Sequence, residues 1–169
     1  IIYCPTVKRV KHLYKWLKAR DYPVGKYHGK MKHAKRSAEQ AAFMSGRKPV
    51  MVATNAFGLG IDKPDVRLII HAGLPLSMDG YVQEIGRAGR DGNKSRCVLL
   101  YAKADFERNK RILSQSGGKK AVRRKLKRLN ALQALVSLDK CLWRVIEHYF
   151  GEKPQHNCGK CCRCRRKSD

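Results

Sequence analysis

Across 169 residues, 38 lysines and arginines stand against 13 aspartates and glutamates, a formal net charge of +25. That length allows one full domain with a small appendage, and no apolar run approaches the ~18 residues of a membrane-spanning helix or resembles a secretory leader. So one-sided a charge predicts a polyanionic partner, most simply nucleic acid bound through its phosphates, with an anionic membrane surface as the competing explanation.

The chain opens inside an apolar run, Ile1-Ile2-Tyr3-Cys4, with no initiating Met and no turn before it. It reads as a buried strand in a piece of something longer. Pro5 ends the strand, and Thr6 is a fair N-cap for a helix carrying Val7, Val10, Leu13, Tyr14 and Leu17 at helical spacing, which closes near Arg20-Asp21. Val24 to Tyr27 predicts a short strand that runs into His28-Gly29. Lys32 to Phe43 predicts a second helix with its apolar side on Ala34, Ala38, Ala41 and Ala42, closed by Gly46 and Pro49. Val50 to Ala53 shows no polar alternation, as expected for a strand covered on both faces. Arg67 to Ala72 and Arg96 to Tyr101 complete the strands. Between them, Met78 to Ala88 predicts a helix with Ser77 as its cap. Short apolar strands alternating with amphipathic helices predict an α/β fold, a parallel sheet with right-handed crossovers. In such sheets the loops leaving the carboxyl ends of the strands carry the chemistry, here those after Cys4, Thr54 and His71.

From Ala104 the strand pattern stops. Ala104 to Ser114 reads as a helix, and Ser116-Gly117-Gly118 as a breaker that divides residues 1–116 from 117–169. Beyond it, Lys119 to Arg128 is strongly basic, while Val122, Leu126, Leu129, Leu132 and Val136 keep helical spacing. A third helix is expected from Leu138 to Phe150, and only the last few residues read as disordered.

Two stretches carry recognisable chemistry. Four of the seven cysteines are spaced Cys141, sixteen residues, Cys158, two, Cys161, two, Cys164. Two consecutive C-x2-C steps present three thiolates to one ion, and a fourth from a preceding helix completes the tetrahedron of a structural Zn²⁺ site; an iron–sulfur cluster is the alternative. Cys162 is the spare, since pairing it as a ligand leaves Cys164 only one residue away. The other stretch is Gln83-x2-Gly86-Arg87-x-Gly89-Arg90. On a helix, spacings of four and three place Gln83, Arg87 and Arg90 on one face, where two guanidinium groups suit a triphosphate. Upstream, Ala53-Thr54-x4-Gly58-x-Gly60-x-Asp62 follows a buried strand. Thr54 is placed to hold a phosphate, and Asp62 to accept from a ribose hydroxyl or orient an arginine.

These residues resemble a known family, the RecQ DNA helicases. Val50–His71 resembles their motif V, Tyr81–Gly92 their motif VI, and Ile1–Thr6 their motif IV. The form Gln83-Glu84-x-Gly86-Arg87-Ala88-Gly89-Arg90-Asp91-Gly92 is closer to RecQ than to the DEAD-box RNA helicases, which usually carry a His at the start of this motif. Cys141, Tyr149-Phe150-Gly151-Glu152, Cys158, Cys161 and Cys164 resemble the RecQ zinc-binding subdomain. The resemblance implies a second RecA-like lobe of the P-loop NTPase type, then a helical zinc subdomain. It implies ATP with Mg²⁺ shared with a first lobe, with Arg87, Arg90 and Gln83 as catalytic residues, Arg90 as the arginine finger, and Asp62 and Gly60 near the nucleotide. It implies DNA, as a single strand and a duplex junction, near Thr54, Tyr3, Thr6 and His28. It also implies an intracellular protein of the nucleus or the bacterial nucleoid. No G-x-x-x-x-G-K-[S/T] phosphate loop and no D-E-x-H occur in these residues, so the expected activity is a shared one, in 3′-to-5′ DNA unwinding. The alternative is a non-catalytic, zinc-stapled module that binds nucleic acid.

Overall fold

A computed structural model describes residues 1–58, 61–115 and 117–166. Gly60, Ser116 of the expected breaker, and 167–169 at the expected disordered end lie outside the described residues. The chain forms two compact units, one of residues 1–75 and 83–105, the other of 76–82 and 106–169.

The first unit is built on five strands, β1 (Ile2–Tyr3), β2 (Val24–Tyr27), β3 (Val50–Ala53), β4 (Leu68–Ala72) and β5 (Arg96–Leu100), in the order β2-β3-β1-β4-β5. Every pairing is parallel, so each connection must cross over the sheet. Helices α1 (Val7–Lys18) and α2 (His33–Met44) supply two crossovers. The central strands are covered on both faces, which is why they read as unbroken apolar runs. Tyr3, Met51, Ala53 and Ile69 join Phe43 and Phe57 in one core cluster. Cys4, Val52 and Ala72 join Val10, Leu17 and Val24 in the other. Complete burial of side chains the size of Met51 and Val52 contributes about 1.5–3 kcal/mol each.

Thr6 caps α1 by accepting the Arg9 N–H at 3.2 Å. The expected alanine face of α2 is corrected: Ala34, Ala38 and Ala41 are exposed, and the helix buries only Ala42 and Phe43. A methyl group removes little apolar area from water, so the Phe43 ring determines which side faces the core. That ring packs edge-on against Phe57 at 5.6 Å, and Tyr27 lies 4.9 Å from Phe57 on its other side.

Helix α3 (Met78–Ile85) starts in the second unit and ends in the first, whereas α4 (Lys103–Ser114) runs the other way. Ser77 caps α3 through its hydroxyl, which accepts the Gly80 N–H at 3.1 Å.

In the second unit α5 (Lys119–Ser137) buries Leu129, Leu132 and Leu135 and leaves its basic side chains outward. Helix α6 is Leu142–Tyr149, four residues later than the expected start at Leu138. Leu138 is extended, at φ −76° and ψ 137°, and the Asp139 carboxylate is engaged by Arg163 and Arg166. The Tyr149 hydroxyl donates to Asp79 at 2.8 Å, and Arg128 lies 3.7 Å from the same carboxylate. A four-residue helix, α7 (Cys162–Arg165), closes the described chain, and Arg163 donates to the Val136 carbonyl at 2.9 Å.

Candidate functional site

Parallel register sets Tyr27, Ala53, Tyr3 and His71 in one row across β2, β3, β1 and β4. His28, Thr54 and Cys4 follow that row directly and leave the sheet at its carboxyl edge, where loops in a parallel sheet carry function. His28 is 4 % exposed. Burial, with Lys11, Lys26 and Lys30 nearby, holds its imidazole below the ordinary histidine range. Its Nδ1 finds no hydrogen-bond partner among the described residues. Thr54 accepts the Ala56 N–H at 3.4 Å, which turns the chain out of β3. Thr6 stands exposed at the head of α1.

Tyr3 does not reach this surface. It is 3 % exposed, its ring stacks on His71 at 5.4 Å, and its hydroxyl donates to the Phe57 carbonyl at 3.2 Å. Burial pushes its phenol well above the ordinary range, and Arg87 opposes the shift. The expectation that Tyr3 meets DNA is therefore corrected: its side chain lies within the core.

The two arginines of the Gly-rich turn have opposite surroundings. Helix α3 stops at Ile85, and residues 86–91 form turns, so Gln83, Arg87 and Arg90 do not share a helical face. Gly89 takes φ +61°, and a Cβ there would lie 2.7 Å from the Asn93 carbonyl oxygen. Only glycine fits that approach. The turn is pinned by Gly89 N–H to the Val66 carbonyl at 3.0 Å and by Arg67 to Asp91 at 2.6 Å. The Arg67 guanidinium holds the Asp91 carboxyl at about 2, with help from Asn93.

Arg87 is 7 % exposed. Its guanidinium lies over the backbone of Gly58, so close that a Cβ at Gly58 would sit 2.6 Å from it, and its Nε has no partner among the described residues. Arg90 points outward and pairs with Asp62 at 2.8 Å, while also donating to the Ile61 carbonyl at 3.2 Å. Gln83 is exposed. Gly60, expected beside the nucleotide, lies outside the described residues. The structure thus brings Gly58, Asp62, Arg87 and Arg90 together, with one guanidinium buried and one outward.

In the second unit the Sγ atoms of Cys141, Cys158, Cys161 and Cys164 all lie within 4.8 Å of one another. Individual separations are 3.9 Å for Cys158–Cys164, 4.0 Å for Cys141–Cys161 and 3.5 Å for Cys161–Cys164. A tetrahedral Zn²⁺ with ~2.3 Å bonds to sulfur requires sulfur–sulfur separations of about 3.8 Å, so the four thiols fit the ion. The Cys158 N–H donates to Cys141 at 3.3 Å, and the Cys161 N–H to Cys158 at 3.4 Å. Burial pushes the Cys141 thiol up, while the backbone N–H groups of Cys158 and Arg144, with the neighbouring Cys158 and Cys164 thiols, draw it below the ordinary range. Cys162 is exposed and outside the cluster.

The family description "Helicase conserved C-terminal domain" matches residues 1–92, and "RecQ zinc-binding" matches 103–165. The chain belongs to the RecQ helicase family. It comprises the helicase C-terminal domain followed by the zinc-binding domain. It is 40% identical over 164 residues to "ATP-dependent DNA helicase RecQ" of Bacillus subtilis (strain 168), covering 97% of this chain and 28% of that protein. It is 38% identical over 153 residues to the "Bifunctional 3'-5' exonuclease/ATP-dependent helicase WRN" of Mus musculus, covering 90% of this chain and 11% of that one. The chain therefore spans under a third of each of these relatives. Among solved structures, "S. cerevisiae Dbp5 bound to RNA and ADP BeF3" superposes with a TM-score of 0.57 at 29% identity, over 74% of this chain and 31% of that one. The fold of the RecQ lobe is RecA-like.

Sequence reasoning missed two residues of this lobe. His71 (1 % exposed) and Glu84 (9 %) form a buried pair at 2.8 Å. A charged residue directly after Gln83 on a short helix was the available signal, but nothing local indicated that it faces inward.

Proposed function

We propose that this RecQ chain is the second motor lobe and zinc-binding subdomain of an ATP-driven 3′-to-5′ DNA helicase. The carrying observation is the contrast between Arg87 and Arg90. Arg87 lies buried against the Gly58 backbone, while Arg90 stands outward on an exposed carboxylate, free to transfer to a phosphate. A guanidinium aimed at the γ-phosphoryl group supplies charge where charge develops in the transition state. ATP with Mg²⁺ is shared with the first RecA-like lobe of the same protein, with Asp62 on the nucleotide side and Gly60 assigned to the nucleotide from the motif. Gln83, exposed on α3, is assigned a catalytic role from the motif. Cys141, Cys158, Cys161 and Cys164 hold a structural Zn²⁺, which supplies fold stability and no open coordination position. We assign the lobe to 1–116 and the zinc subdomain to 117–169, and place the protein inside the cell, in the nucleus or on the nucleoid.

DNA, as a single strand and at the duplex junction, meets the edge bearing Thr6, His28 and Thr54. His28 offers an imidazole N–H at that edge, and Thr6 heads α1 there. The +25 charge adds a sequence-independent attraction. Single-strand affinity of the chain is expected to fall with salt, by a log–log slope of about −0.7 per neutralised phosphate. Fluorescence anisotropy checks this, and a flat salt response would remove the phosphate reading.

The isolated chain is expected to hydrolyse no ATP, because no residue here forms a phosphate loop. A coupled ATPase assay with and without the first lobe tests this. Turnover by the chain alone would overturn the shared-site reading. No turnover even in the complete protein would favour the non-catalytic, zinc-stapled module.

A further inference from the structure

Arg87 is buried, and the groups that hold it come from three separate stretches. The Tyr3 hydroxyl, from β1, lies near enough that the Arg87 charge opposes the rise of its phenol. The Gly58 backbone lies against its guanidinium plane from the 54–62 loop. Its own backbone N–H donates to the Glu84 carbonyl at 3.3 Å. Behind these lies the His71–Glu84 pair, with the His71 side chain 2 % exposed and that of Glu84 11 %. His71 is the register neighbour of Tyr3 on the adjacent parallel strand, and the two rings stack at an interplanar angle of 22°. The result is one continuous line of contacts: the Glu84–His71 hydrogen bond, the His71–Tyr3 ring stack, and the Tyr3 hydroxyl, which donates to Phe57 and lies beside Arg87.

Such a network is unusual inside an apolar sheet. The surrounding cluster is Ile1, Phe43, Met51, Ala53, Phe57 and Ile69. A His–carboxylate pair placed there carries a desolvation cost that an apolar pair of the same volume avoids. Stability alone does not account for it. What the pair does provide is orientation. It ties the last turn of α3 to β4, and thereby sets the start of the 86–92 turn and the height of Arg87 beneath Gly58.

We propose that His71 and Glu84 are positioning residues that act through Tyr3 and Arg87 on Gly58 and, through it, on Ile61 and Asp62, and so on the placement of Arg90 at the triphosphate. Neither touches substrate. The proposal rests on the shared-site reading above.

The test is a double-mutant cycle in the complete helicase, read as DNA-stimulated kcat, KM for ATP and Tm. Glu84→Gln keeps volume and an acceptor but loses the charge. It is expected to lower kcat about tenfold, with KM for ATP and Tm nearly unchanged. In an Arg87→Lys background, read by single-turnover ATPase, the same substitution is expected to change the rate less than twofold, because coupled residues are non-additive. A tenfold loss in both backgrounds, or no loss in either, overturns the proposal. So does a fall in Tm that accounts for the lost activity. If Glu84→Gln does not accumulate as folded protein, His71→Asn is put through the same cycle with the same outcomes. Arg90→Ala serves as the control: if it abolishes turnover while Glu84→Gln does nothing, the positioning role fails and the shared-site reading stands.

Discussion

Arg90→Ala in the complete helicase is expected to lower kcat for ATP by about 10³-fold or more, with DNA affinity changed less than about twofold. The magnitude is that of an arginine finger, whose guanidinium meets charge that develops only in the transition state. The structure gives the physical basis. Arg90 is held by Asp62 at 2.8 Å, but that carboxylate is 87% exposed and the guanidinium side chain 40%. An ion pair so open to water is weak and easily exchanged for a phosphate. Arg87 is the opposite case. It is 7 % exposed and wedged under Gly58, so Arg87→Ala should lower Tm as well as kcat. Single-turnover and steady-state ATPase assays, run beside DNA anisotropy and thermal melts, separate the two arginines. If Arg90→Ala weakened DNA binding as much as it slowed turnover, the finger assignment would be wrong.

Removal of zinc is the second large effect. Metal analysis should give about one zinc per chain, and chelation should unfold the 106–166 helices while sparing the parallel sheet. Structural Zn²⁺ in small domains carries apparent binding energies of about 10–16 kcal/mol at neutral pH. The second unit is expected to need it because α7 is only four residues long, and the loop before it shows no regular structure from 152 to 161. Beyond the metal, Arg163 and Arg166 tie that segment to Asp139 and Val136. Cys158→Ser should lose the metal and the helical circular dichroism, whereas Cys162→Ser should keep both, since Cys162 lies outside the cluster. Visible absorbance of an iron–sulfur cluster, or a metal-free protein that melts like the loaded one, would refute the zinc site.

The parallel sheet was legible because each central strand is buried on both faces, and only an unbroken apolar run such as Val50-Met51-Val52-Ala53 satisfies that condition. The cysteine centre was legible because three of its four thiols lie within seven residues, so local chain geometry brings them together. Helix α6 was placed four residues too early because Leu138 continues the apolar period, and only the engagement of Asp139 by arginines 24 and 27 residues away shows that the chain has turned. The alanine face of α2 misled for a related reason. Periodicity reports where apolar residues recur, not which of them carries enough area to choose a side.

The arginine pair marks the division most clearly. Sequence alone determined that two guanidinium groups, glycine-spaced, would follow a short helix in a parallel α/β fold. It also determined that a separate four-thiolate centre would follow. Tertiary structure alone decided that Arg87 is buried and Arg90 outward, and that Tyr3 faces the core. It alone paired His71 with Glu84. The reason is physical. Arg87 and Arg90 are the same residue type in nearly the same local sequence, so local preference cannot distinguish them. What distinguishes them is the approach of Tyr3 and Gly58 to one guanidinium and of solvent to the other, and those neighbours arrive only when distant strands pair.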